Sequence, residues 1–411
     1  MPHFLRAFRS SRLLPVTNQR RLMSADFLPG NRIDLLESGA QFFPALHAAI
    51  DAAGSEIHLE TYIFADDATG HSIVVALIAA ARRGVTVRVL VDGFGARDFL
   101  QGLGQTLVAG GATVEVYRAE VARLKLRRHR LRRLHRKLTV IDGRLAFVGG
   151  INIIDDRYVL HPVPRLDYAV RIEGPLVGRI HASMRHLWRL VGWAKRQHRP
   201  PRLPVSPCQS GTSIGAMTAT FLIRDNLRHR RDIEDAYLDA ITHARNEVFL
   251  ASAYFLPGRR FRHTLLDAAA RGVSVTILLQ GKVDHVLLFY ATQALYRQLL
   301  GGGVRIFEYH AGFLHAKVAV VDGSWATVGS SNIDPFSLLL AREANVVVRD
   351  NAFAAQLATS LQHAIENAAH EVVTADLVRR GLLARALRWL AYSLVRLLLG
   401  ITRYGGNDYR E

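Results

Sequence analysis

Two histidine–lysine pairs, His135 with Lys137 and His315 with Lys317, stand 180 residues apart in matching company. Each begins the pattern His-x-Lys-x4-Asp-x6-Gly-(Gly/Ser)-x-Asn. Asp142, Gly149, Gly150 and Asn152 complete the first copy; Asp322, Gly329, Ser330 and Asn332 complete the second. Six positions held at fixed spacing twice in one chain mark a duplicated site. Imidazole, ammonium and amide groups together suit phosphoryl transfer. A neutral histidine can attack phosphorus and carry the phosphoryl group covalently. A second, protonated one gives its proton to the leaving alkoxide and takes one from the incoming alcohol or water. Lys137, Lys317, Asn152 and Asn332 would bind the phosphoryl oxygens and stabilise their charge. No carboxylate cluster has metal-ligand spacing, so the reading predicts chemistry without a metal or other cofactor.

The apolar runs Leu134 to Ile141 and Leu314 to Val321 read as strands, and a period of two sets each histidine and its lysine on one face. A histidine nucleophile needs an acceptor on its other ring nitrogen. Asp167 opens Asp-Tyr-Ala-Val-Arg-Ile after the first motif, and Glu343 opens Glu-Ala-Asn-Val-Val-Val after the second. These matching carboxylates are the candidates for orienting the two histidines. Asp142 and Asp322 are grouped with the catalytic residues by the motif, although each ends a strand ahead of a glycine and so also suits a turn-capping role.

The elements around the motifs repeat as well. Glu56-Ile57-His58-Leu59 parallels Glu247-Val248-Phe249-Leu250, and Arg83-Gly84-Val85 parallels Arg271-Gly272-Val273, each after an Ala-rich helical pattern. Gly110-Gly111 through Tyr117 parallels Gly302-Gly303 through Tyr309. Helix and strand alternate throughout, which predicts an α/β fold of mixed or parallel sheets covered by helices on both faces. The first half carries twelve extra residues between its tyrosine and its histidine. They fall in 119–133, which holds Arg123, Lys125, Arg127, Arg128, Arg130, Arg132 and Arg133 at the lip of the expected phosphate site.

The 411 residues suffice for two units, with boundaries expected at 28–194 and 212–372. A Pro-rich linker over 195–211 joins them, a basic arm precedes them over 1–27, and a tail follows over 373–411. Net charge is +18, so the partner is anionic, either nucleic acid or an anionic membrane. Cys208 is the single cysteine and lies in the linker, which excludes an internal disulfide framework. No run reaches the ~18 uncharged apolar residues of a spanning helix. In the tail, Arg385, Arg388, Arg396 and Arg403 share one helical stripe, with Leu382, Leu383, Leu387, Leu390, Leu394 and Leu398 largely off it. With Trp389 and Tyr392 at a headgroup boundary, this predicts a helix lying on anionic lipid, against the alternative of a helix docked on the protein's own core. The same leucines argue against a nucleic-acid substrate.

The paired motifs resemble those of the phospholipase D superfamily. Pro29-Gly30-Asn31, Glu60-Thr61-Tyr62-Ile63-Phe64, Asp167-Tyr168-Ala169-Val170 and Trp325 through Pro335 resemble the bacterial cardiolipin synthases of the B type. The resemblance covers roughly residues 28 to 372 and implies two pseudo-symmetric αβα sandwich domains with the active site between them. It also implies transfer of a phosphatidyl group from one phosphatidylglycerol to another, giving cardiolipin and glycerol, at the cytoplasmic side of the bacterial inner membrane. By the same resemblance His135 is the nucleophile and His315 the general acid/base, while pseudo-symmetry leaves the reverse open. Hydrolysis, or nuclease action within the superfamily, would use the same motifs.

Overall fold

A computed structural model describes residues 27–118, 133–155, 164–194, 212–225, 228–283, 285–334, 341–375 and 381–401. The expectations for the basic arm up to residue 26, the insertion 119–132, the linker with Cys208, and residues 402–411 lie outside the described residues, as do those for the side chains of Leu382, Leu383, Arg385 and Leu398.

The first half contributes β1 (Leu28–Glu37), β2 (Glu56–Thr61), β3 (Thr86–Asp92), β4 (Thr113–Tyr117), β5 (Arg133–Leu134), β6 (Lys137–Ile141), β7 (Leu145–Gly149) and β8 (Tyr168–Glu173). The second contributes β9 (Met217–Arg224), β10 (Glu247–Ser252), β11 (Ser274–Gln280), β12 (Arg305–Tyr309), β13 (Lys317–Val321), β14 (Trp325–Gly329), β15 (Ala341–Arg349) and β16 (Ala369–Glu371). From the middle outward the first half runs β1-β8-β7-β6-β2-β3-β4 and the second β9-β15-β14-β13-β10-β11-β12-β16. The two orders are copies, apart from the added β16. They join at the antiparallel β1–β9 seam, so the strands of both halves belong to one mixed sheet. β2, β3 and β4 are mutually parallel, and β6, β7 and β8 return antiparallel.

The strands are apolar on both sides because both sides are covered. Leu138 and Val140 of β6, with Val318 and Val320 of β13, enter a central core that both halves share, closed by the helices Leu176–Ala194 and Asn351–Ala368. Ile141 enters the outer core of the first half, and Ala319 and Val321 that of the second. The helices begin and end where local chemistry permits. Asp67 and Asp350 accept from the first-turn N–H groups of Gly70 and Phe353 at 2.8 and 2.9 Å. Gly84 and Gly272, both at φ +90°, turn the chain from helix into strand at equivalent places.

The halves differ in what lies beside each motif. Arg136, between His135 and Lys137, is buried in a bidentate pair with Glu60, at 2.5 and 2.9 Å. The corresponding positions of the second half are Ala316 and Ala251, also buried.

The tail helix Gly381–Ile401 docks one face on the protein's own core and leaves another exposed. Tyr392 and Val395 are buried in the outer core of the second half, and Arg388 is 9% exposed. Leu387, Leu390, Leu394 and Leu397 form an exposed row. The arginine stripe therefore does not face outward as a unit. Tyr392 packs inward, accepting from Arg262 at 3.4 Å, because the helix needs an anchoring face as well as an outer one. Among the described residues no helix is long and apolar enough to cross a membrane.

Arg136→Ala leaves the Glu60 carboxylate buried and uncompensated, and is expected to cost about 3–5 kcal/mol of stability. The double variant Arg136→Ala/Glu60→Ala, which copies the second half, is expected to be more stable than the single one. Denaturant unfolding of both proteins measures the difference; equal stabilities would remove the ion pair from the account.

Candidate active site

Each motif histidine sits two residues ahead of its strand, in backbone stitched to the opposite half. β5 pairs in parallel with β15, Ala341 opposite Arg133 and Arg342 opposite Leu134, and His135 N–H donates to the Arg342 carbonyl at 3.0 Å. In the other direction Leu166 N–H donates to Phe313 O at 2.9 Å, and His315 N–H to Leu166 O at 2.8 Å. The side chains follow the backbone across. His135 Nδ1 lies 3.1 Å from Glu343 Oε2, and His315 Nδ1 lies 2.6 Å from Asp167 Oδ2. The matching carboxylates thus serve the histidines crosswise, which their place in the repeat does not reveal.

Lys137 Nζ donates to the His135 carbonyl at 2.7 Å. Lys317 Nζ donates to the His315 carbonyl and stands 2.7 Å from His315 Nδ1. Both ammonium groups, Asp167 and Glu343 are buried, whereas the His135 and His315 side chains remain 18% and 19% exposed. The imidazoles are therefore the groups of this cluster that solvent can reach.

Burial governs the electrostatics. It brings Lys137 down to about 7 and Lys317 to about 8, against the pull of Glu343 and Asp167; the Lys317 charge depresses Lys137 further. An incoming phosphate anion would favour the protonated lysines. Burial opposes the charge on Asp167, but Lys317, His315 and the Tyr168 N–H outweigh it and hold the carboxyl below the usual range. His315 is pushed down to about 3 by burial and then by Lys317, in spite of Asp167.

The glycine-rich ends of β7 and β14 are shaped by the two carboxylates. A Cβ on Gly150 would stand 2.2 Å from Asp167 Oδ1, so only glycine fits beside Asp167. The equivalent Ser330 instead gives its hydroxyl proton to Glu343 Oε2 at 2.5 Å, while its oxygen accepts from Ala344 N–H at 3.0 Å. Asn152 Oδ1 accepts from Ile63 N–H at 3.1 Å, just beyond β2. Asn332 is buried at the equivalent place beyond β14, and among the described residues its Oδ1 accepts no hydrogen bond.

Asp142 and Asp322 stand apart from this cluster, contrary to their grouping with the catalytic residues. Each lies five residues beyond its lysine along an extended strand, about 16 Å away. Each has positive φ, 53° and 48°, and leads a tight turn with the following glycine. Asp142 accepts from the N–H groups of Gly54, Ser55 and Glu56 at 2.7–2.9 Å. Asp322 accepts from those of Arg245, Asn246 and Glu247 at 2.8–3.0 Å. Their work is to pin the β6–β7 and β13–β14 hairpins to the loops before β2 and β10.

Sequence spacing did not disclose Tyr62, whose ring centre is 4.9 Å from that of His135 and 5.5 Å from Lys137 Nζ. Its counterpart in the second half is Ala253, placed by the matching Phe64–Ile153 and Phe255–Ile333 bridges. Nor did it disclose Asp92 and Gln280, which accept from the backbone N–H of Leu134 at 2.8 Å and of Leu314 at 3.0 Å. Among the described residues no three His, Cys, Asp or Glu side chains are grouped to hold a metal ion.

A two-half α/β fold with histidine–lysine pairs converging at the seam defines the phospholipase D-like class. Residues 46–188 and 237–365 match the family described as "Cardiolipin synthase, PLD-like domain", and the chain belongs to that family. It is 41% identical over 365 residues to cardiolipin synthase B of Salmonella typhi, covering 87% of this chain and 86% of that protein. Identity to cardiolipin synthase B of Escherichia coli K12 is also 41%, over 338 residues, covering 80% and 79% of the two chains. Cardiolipin synthase A of Pectobacterium carotovorum is 31% identical over 367 residues, 88% of this chain and 72% of that one. The crystal structure of phosphatidylserine synthase from Haemophilus influenzae superposes with a TM-score of 0.70 over 95% of this chain and 98% of its own. At 14% identity it speaks for the fold alone.

Asp142→Ala is expected to cost about 2–4 kcal/mol, through lost N–H acceptors and a strained left-handed alanine. Thermal unfolding should shift down, with turnover at low temperature retained. Loss of turnover in a variant that unfolds like wild type would return Asp142 to the chemistry.

Proposed function

We propose that this protein is a phosphatidyltransferase that makes cardiolipin and glycerol from two molecules of phosphatidylglycerol. The observation that carries the reading is the crosswise cluster: two solvent-reachable imidazoles, each braced by a buried carboxylate and flanked by a buried lysine, in a chain of the cardiolipin synthase family. One histidine attacks the phosphorus of the donor and forms a phosphoramidate bond as the glycerol alkoxide leaves with the other histidine's proton. That second histidine, now neutral, takes the proton of the acceptor hydroxyl, whose oxygen displaces the first histidine from phosphorus. Lys137 and Lys317 stabilise charge on the phosphoryl oxygens, and Asn152 and Asn332 extend the same lining. Asp167 and Glu343 fix the tautomers, so that Nε2 is the reacting nitrogen in both rings.

The family resemblance makes His135 the nucleophile and His315 the acid/base. The depressed basicity of His315, which keeps it neutral at rest, favours the opposite assignment. The site of phosphorylation decides between them.

The bilayer is approached through the tail. Leu387, Leu390, Leu394 and Leu397 on the terminal helix and Val286 and Tyr290 on the adjoining helix Val286–Gln293 are exposed together, and the net charge of +18 favours anionic lipid. We assign the protein to the cytoplasmic surface of the inner membrane as a peripheral enzyme, with nucleic acid outside its substrates.

Purified protein incubated with phosphatidylglycerol vesicles in EDTA is expected to yield cardiolipin and glycerol, detected by mass spectrometry. His135→Ala is expected to abolish both. Phosphatidic acid as the sole product would make the protein a hydrolase. A phosphohistidine trapped on His315 would exchange the two histidine roles. Leu390→Glu/Leu394→Glu is expected to weaken vesicle binding at least about tenfold in a flotation assay; undiminished binding would remove the tail from the membrane interface.

A further inference from the structure

The cores around the two histidines are near copies, but their mouths are not. Equivalent positions are fixed by equivalent backbone bonds: Gly93 N–H to Tyr117 O and Gly281 N–H to Tyr309 O, both 3.0 Å. They make Phe94 the counterpart of Lys282, Arg97 of His285 and Arg118 of His310, and the spacing of the two motifs makes Arg133 that of Phe313. On the first side the guanidinium carbons of Arg97 and Arg133 stand 4.8 and 4.9 Å from the centre of the Phe94 ring. Those of Arg118 and Arg342 stand 5.5 and 5.9 Å from the Tyr117 ring, and Arg342 Nε also donates to the Tyr117 hydroxyl at 3.2 Å. On the second side the lysine at the place of Phe94 donates to Ala311 O at 3.0 Å, and the neighbouring Val283 and Val286 are exposed.

The four arginines form one patch. Asp92 and Tyr117 are cross-strand partners at the ends of β3 and β4, and Arg133 approaches Asp92 at 3.9 Å. That carboxylate is already engaged by the N–H groups of Phe94, Gly95 and Leu134. The patch also borders the reacting groups. Arg133 is two residues before His135, the Arg342 carbonyl holds His135 N–H, and Arg342 precedes Glu343. Guanidinium groups ranged on aromatic rings keep their planes oriented, and the exposed Arg97 and Phe94 open the patch to solvent. Planar forks of this kind match the paired oxygens of a phosphate.

We propose that Arg97, Arg118, Arg133 and Arg342, set around Phe94 and Tyr117, form a second phosphate subsite that receives the phosphodiester of the acceptor lipid. The proposal rests on the phosphatidyl-transfer reading and adds to it the element that selects the acceptor. The transferring phosphorus occupies the pseudo-symmetric core, where both halves contribute alike. An acceptor that is itself a phospholipid brings a second negative charge, and the His135 side meets it with four arginines where the other half has His285, His310, Phe313 and Leu166. Water or a neutral alcohol would gain nothing from the patch.

The test partitions a common intermediate. Vesicles containing phosphatidylglycerol and an equal amount of monoacylglycerol, which offers hydroxyls at the same interface without a phosphate, give cardiolipin and acyl-phosphatidylglycerol respectively. Wild-type protein is expected to favour cardiolipin. Arg97→Ala/Arg133→Ala is expected to move the product ratio at least about tenfold toward the neutral acceptor, and the corresponding double lysine variant to restore part of it. The single Arg97→Ala change, at an exposed position, gives the same readout at smaller amplitude if the double variant does not fold. A product ratio unchanged in the alanine variants would overturn the subsite while leaving transfer intact. Absence of both transfer products from wild type would overturn the transfer reading and the subsite with it.

Discussion

The interaction on which the molecule depends is the crossed pairing of histidine and carboxylate. His135 belongs to the first half and its Glu343 to the second; His315 belongs to the second and its Asp167 to the first. Two carboxylates and two lysines are thereby taken out of water, a costly arrangement unless every charge has a partner at hydrogen-bonding distance. The partners are available only when the halves are closed on one another. The β1–β9 seam, the β5–β15 pairing and the Leu166–Leu314 bridge all hold that closure. The shared core beneath them couples the geometry of the site to the stability of the whole sheet.

Within this symmetric frame the two halves have diverged at specific contacts. Glycine is obligatory beside Asp167, whereas the longer Glu343 leaves room for Ser330 and receives its hydroxyl proton. Tyr62 lines His135, and the corresponding place near His315 is Ala253. The buried Arg136–Glu60 pair has become two alanines. A reaction with distinct donor and acceptor half-reactions has use for such differences, since the same two imidazoles must meet different partners in turn.

Much of the fold was legible because it is written locally. Period-two apolar runs, helix-ending glycines such as Gly84 and Gly272, and the doubled motif all act over a few residues, and they yield strands, turns and the duplication. Proximity of His135 to Lys137 follows from the same local rule. What could not be read lies in contacts across long sequence separations. Glu343 is 208 residues from His135, and nothing in its own neighbourhood tells which histidine it will face. Asp142 shows the converse. Its spacing belongs to the motif, yet five residues of strand carry it to the far end of the hairpin, where its carboxylate holds a loop. The arginine stripe of the tail misled for a related reason: a helical wheel shows which residues share a face and leaves open which face the protein itself will cover.

The crossed carboxylates also set an order of events during synthesis. A chain extended only through the first half already has His135, Lys137 and Asp167, but Asp167 has no His315 to brace and His135 has no acceptor. Competence arrives when β15 brings Glu343 into register, almost at the completion of the second half. A nascent or prematurely ended polypeptide therefore lacks the assembled histidine–carboxylate pairs. Assembly of the paired imidazoles and carboxylates thus coincides with completion of the fold.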